Sequence, residues 1–84
     1  MSSALQLYQK MRRNPANVRF AQIVRLAEES GFLEARVRGS HHIFRHPEHR
    51  GAVLNLQDHK GQAKPYQVRQ LLALVEEYRL LEER

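Results

Sequence analysis

Five histidines (His41, His42, His46, His49 and His59) fall within nineteen residues of an 84-residue chain. Arg36, Arg38 and Arg45 lie close to the first of them. Imidazole titrates near neutrality and can take a proton from a hydroxyl, while guanidinium groups hold a phosphate and its developing charge. Together they have the makings of metal-independent cleavage of RNA. A base removes the proton of a 2′-OH, and that oxygen attacks the adjacent phosphorus. Metal ligation is the rival chemistry for so many histidines. However, His41 and His42 are neighbours on one expected strand and point to opposite faces, and no cysteine or carboxylate pair completes a tetrahedral set. We therefore assign no metal and no cofactor. From these residues alone, a surface histidine beside two arginines is more often incidental than catalytic.

Gly39-Ser40 has the composition of a two-residue hairpin loop, with Gly at the first central position as a type II′ turn prefers. That turn sets Arg38 opposite His41, Val37 opposite His42, Arg36 opposite Ile43, Ala35 opposite Phe44 and Glu34 opposite Arg45. Opposed residues share a face. One face then carries Ala35, Val37, His42 and Phe44, which suits a core. The other carries Glu34, Arg36, Arg38, His41, Ile43 and Arg45. A slip of one residue would bury arginines and expose Phe44.

The run GSHHIFRHP at residues 39–47 resembles the signature of HicA-type toxins, small RNA-cleaving proteins of toxin–antitoxin pairs. The likeness continues through AVLNL to AKPYQVRQLL and covers roughly Phe20 to Leu74. It implies that His41, the first histidine after Gly-Ser, is catalytic. It also implies a double-stranded-RNA-binding-like α-β-β-β-α fold, mRNA as substrate, and inhibition by a cognate HicB-like antitoxin.

The remaining elements must carry that hairpin. A short helix over residues 3–12, capped by Ser2 or Ser3, ends before Asn14-Pro15. Residues 1–17 form an extension outside the resemblance, and residues 18–84 form the domain. Asn17 is the expected cap of a helix from Val18 to Ser30, with Phe20, Ile23, Val24 and Ala27 on one stripe and Gly31 as its stop. Strands are expected at Phe32–Arg38, His41–Arg45 and Ala52–Leu56, the last with Val53 and Asn55 on the face away from Ala52, Leu54 and Leu56. His46 to Gly51 reads as a polar connection in which His46 and His49 meet solvent or phosphate. Gln57 to Gln62 reads as a solvated loop. Pro65 opens a final helix to Glu82, with Val68, Leu71, Leu72, Val75 and Tyr78 on its core side. The class is α+β: three antiparallel strands, two helices on one face, and an added N-terminal helix.

Charge agrees with a polyanion partner. Residues 1–69 carry twelve Lys and Arg against five Asp and Glu, whereas residues 70–84 carry two against four. Lys60, Lys64 and Arg69 gather near the start of the last helix, where RNA phosphates are the expected contact for Lys60 and Lys64. With no cysteine, disulfides are excluded, and no apolar run reaches the ~18 residues of a membrane span. A cytoplasmic protein is expected. Two other classes remain open: an RNA-binding module without cleavage, and an interaction domain for an acidic protein.

Overall fold

Along the second and third strands the buried residues alternate with exposed ones, and this alternation decides the layers. Phe44, Ala52, Leu54 and Leu56 are buried, while Arg45, Val53 and Asn55 between them are exposed. The structure is a computed structural model that describes residues 3–82. Its elements are α1 (Ser3–Arg13), α2 (Phe20–Glu29), β1 (Leu33–Arg38), β2 (His41–His46), β3 (His49–Gln57) and α3 (Pro65–Glu77). The strands form one antiparallel sheet in the order β1-β2-β3. The fold is therefore α+β, as the patterning indicates.

The helices supply Met11, Ile23, Leu26, Ala27, Val68, Leu71, Leu72 and Val75 to the core, against Phe44, Leu54 and Leu56 of the sheet. Burying a side chain such as Phe44 contributes about 1.5–3 kcal/mol. The N-terminal helix joins this layer. Met11 is fully buried, Tyr8 donates its hydroxyl to Glu76 Oε2 at 2.7 Å, and Arg25 donates to Ser3 Oγ at 3.0 Å. Of the two expected caps, Ser2 lies outside the described residues, and Ser3 is already helical.

Helix α2 starts later than expected, because residues 18–20 use their backbone elsewhere. Ala63 donates its N–H to the Val18 carbonyl, and Phe20 donates to that of Gly61, both at 2.9 Å. Arg19, not Asn17, is the cap residue, and its N–H donates to Gln22 Oε1 at 3.0 Å. At the other end Gly31 (φ +100°) lets Phe32 N–H return to the Ala27 carbonyl at 3.0 Å, the hydrogen bond that closes a Schellman motif. Helix α3 ends the same way and earlier than Glu82. Leu80 N–H donates to the Val75 carbonyl at 3.0 Å, with Arg79 in the left-handed position at φ +53°. Tyr78, drawn against His49 with ring centroids 4.7 Å apart, marks that stop.

The hairpin departs from the expected register at one point. Arg38↔His41, Val37↔His42 and Arg36↔Ile43 pair as the turn requires, but a bulge at Ala35 follows, leaving Glu34↔Phe44 and Leu33↔Arg45. The bulge reverses the faces beyond it, so Phe32 enters the core and Leu33 points out. Burying the larger aromatic side chain favours this arrangement. Glu34 thus faces the helices and lies 2.8 Å from His42 Nδ1, not opposite Arg45. Val37 is on the helix side but stays 50% exposed, because β1 is an edge strand that the helices do not reach.

Strand β3 begins at His49, since Pro47-Glu48 is a two-residue turn between the paired His46 and His49. His46 is not a solvent contact. It is 7% exposed, lies edge-on to Phe32, accepts the Glu48 N–H on Nδ1 at 3.1 Å, and places Nε2 3.2 Å from the Ser30 carbonyl.

Candidate functional site

The site is built on the hairpin turn. Gly39 has φ +56° and Ser40 does not have positive φ, as a type II′ turn demands. The turn delivers His41 to the sheet face away from the helices, where it is exposed. Three cross-strand rows make up that face. They are Arg38, His41 and Gln57; then Arg36, Ile43 and Asn55; then Leu33, Arg45 and Val53. Arg36, Arg38 and Arg45 are exposed, and none is in an ion pair among the described residues. Their charge is therefore available to an anion.

Arg36 and Arg38 share the His41 end of the face. Arg45 sits four residues further along β2, roughly 13 Å away at strand spacing. Lys60 joins the His41 end from the loop after β3. Asp58 N–H donates to the Ser40 carbonyl at 2.9 Å, which fastens that loop to the hairpin turn. The loop is ordered: His59 and Gln62 exchange backbone hydrogen bonds at 3.1 and 3.0 Å around Lys60 and Gly61. Both central residues have positive φ, the arrangement of a type I′ turn. Lys64 is the cap residue of α3 and half-buried. It starts a helix whose Gln67 Oε1 accepts the N–H of Gln57, the cross-strand partner of His41, at 2.9 Å.

His41 Nδ1 lies 3.2 Å from Asn55 Oδ1. Asn55 belongs to the open face by simple alternation, but its meeting with His41 needs the β2–β3 register, which only the unforeseen Pro47-Glu48 turn reveals. His42 projects the opposite way. It packs on Phe20 with ring centroids 4.9 Å apart and bonds Glu34 at 2.8 Å, so it serves the fold. Of the remaining histidines, His59 lies in the loop fastened to the hairpin turn, and two lie elsewhere. His46, His49 and Tyr78 stack at the far end of the sheet beside a polar cleft of about 270 Å³. Among the described residues, no three His, Asp or Glu side chains converge on one point. What the open face offers is one imidazole, an amide partner, and a row of unpaired cations on a flat surface.

No curated protein and no solved structure matches the chain. Among the described residues, no helix is long and apolar enough to cross a membrane. Residues 20–76 match the family described as "HicA toxin of bacterial toxin-antitoxin". That span takes in α2, the whole sheet and nearly all of α3, so the chain belongs to the HicA toxin family.

Proposed function

We propose that this toxin is an endoribonuclease acting on mRNA in the cytoplasm, with His41 as general base and a cognate HicB-like antitoxin as its inhibitor. The observation that carries the reading is the exposure of His41 in a row with Arg38, on a face whose arginines have no counter-ions among the described residues. The neutral ring takes the proton of a 2′-OH. The O2′–P bond forms as the P–O5′ bond breaks, leaving a 2′,3′-cyclic phosphate and a 5′-hydroxyl. The leaving oxygen takes its proton from water or from the imidazolium. Arg36 and Arg38 hold the reacting phosphate, while Arg45, Lys60 and Lys64 contact flanking phosphates. The likeness of the element order to double-stranded-RNA-binding-like folds, which read phosphates and 2′-OH groups, supports sequence-tolerant contact.

The test is cleavage of mRNA by the purified chain in EDTA, with end-group analysis. Cyclic phosphate ends are expected, and His41→Ala should lower the rate by roughly 10²–10⁴-fold. RNA binding without cleavage by the parent chain would favour a binding module. Parent-rate cleavage by His41→Ala would remove His41 from the mechanism.

A further inference from the structure

We infer that Asn55 is a positioning residue for His41, holding the ring in the tautomer that carries its proton on Nδ1 and its lone pair on Nε2. An amide oxygen can only accept, so an Oδ1 that lies 3.2 Å from Nδ1 takes the N–H of that nitrogen. The neutral ring then has its one basic nitrogen at Nε2. Neutral imidazole in water favours the opposite tautomer, with the proton on Nε2. A ring left to itself on this surface would therefore spend most of its time with the wrong nitrogen free.

The register explains why Asn55 and no other residue does this. Asn55 stands opposite Ile43, diagonal to His41 on the same face, within reach for a side chain of its length. The side chain of the direct cross-strand partner, Gln57, makes no hydrogen bond to His41 among the described residues. Asn is also a poor strand former, and here it is a paired interior residue of a nine-residue strand, third from its end, with its side chain on the solvent side. A β-branched residue would suit that place better for stability, so its use points to the bond with His41.

The consequence for cleavage rests on His41 being the general base; the tautomer itself does not. Ring-nitrogen NMR of His41, at a pH where the ring is neutral, separates the two. The parent chain should show the lone pair on Nε2. Asn55→Leu should show a mixture weighted to the other tautomer, and Asn55→Asp, which keeps an acceptor, should restore the parent pattern. In parallel, Asn55→Leu should lower kcat roughly two- to ten-fold with little change in KM, as loss of one hydrogen bond allows. Asn55→Asp should keep kcat and raise KM, because its carboxylate repels phosphate.

An unchanged tautomer in Asn55→Leu overturns the assignment. So does a parent ring with its lone pair on Nδ1, since the amide would then be donating to it. If the parent chain cuts no RNA, the reading of His41 as base fails, and the ring spectra still decide the role of Asn55.

Discussion

A side-chain carbon on Gly31 would stand 2.6 Å from Nε2 of His46, so the end of α2 and the end of β2 are fitted together at one point. The glycine also has φ +100°, where an L side chain is strained. His46 Nε2 meets the Ser30 carbonyl beside it. Gly31→Ala should displace the ring and strain the cap, lowering stability by about 2–3 kcal/mol, or roughly 10–20 °C in Tm. A thermal melt decides it, and a Tm within 3 °C or so of the parent would show that the contact gives way freely.

Tyr8 makes stability fall at alkaline pH. Burial first, then the hydrogen bond to Glu76 and the charge of that carboxylate, raise its phenol above the ordinary value of 10.0, with Arg12 opposing. Folding therefore favours the neutral phenol. The contribution is complete below the unfolded pKa and is lost as pH rises through the higher folded value. Tyr8→Phe should cost about 0.5–1.5 kcal/mol at pH 7 through the lost bond. Above pH 10 its urea midpoint should fall less steeply than that of the parent. Parallel curves would mean that Tyr8 does not titrate with unfolding.

These two contacts mark where reading the chain alone stops. The alternation in Phe44, Leu54 and Leu56, and the turn at Gly39-Ser40, are local patterns, and they place the core face and His41 correctly. The bulge at Ala35 depends on a contest between Phe32 and Leu33 for the core, which no single strand reveals. The early end of α3 depends on His49 and Gly51 accommodating Tyr78 across the sheet. His46 is polar and still buried, because the carbonyl of Ser30, just past α2, and its own turn amide satisfy both ring nitrogens. Within the candidate site, the arginines follow from counting residues back from a turn. Asn55 needs a second turn that composition does not advertise.

Lys60 holds a left-handed conformation that a lysine does not favour. Lys60→Gly should relieve that strain and raise stability by about 0.5–1 kcal/mol, net of the entropy gained by the unfolded chain. If its ammonium contacts RNA, the same change should weaken binding and lower the magnitude of the log–log salt slope by roughly 0.7. Equilibrium binding at four salt concentrations, with a melt alongside, gives both numbers. A more stable variant with an unchanged slope would remove Lys60 from the RNA contact.

The neighbouring histidines should respond unequally to truncation. His42→Ala loses the Glu34 bond and the Phe20 contact and should cost about 1–2 kcal/mol. His41→Ala leaves no cavity on an open face and should change stability by under about 1 kcal/mol. Chemical denaturation of both variants tests the placement of the rings without reference to activity. Greater destabilisation by His41→Ala would contradict the faces assigned to β2.

An antitoxin that blocks RNA by covering the site has to meet the same cations. Arg36 and Arg38 lie beside His41 on a strand exposed along its whole length, where Leu33 adds an apolar contact at 63% exposure. Acidic side chains on the partner would complement this surface and steer its approach. Arg36→Glu with Arg38→Glu should therefore weaken RNA binding and antitoxin binding together. The association rate of the antitoxin should fall about tenfold or more and lose much of its salt dependence. Both changes sit on the solvent side of an edge strand, so the fold should survive them, and a melt confirms it. Kinetics of antitoxin association with each chain, alongside RNA binding, give the answer. If the double variant loses RNA but binds antitoxin at the parent rate, the inhibitor engages another face and must act on the site from a distance.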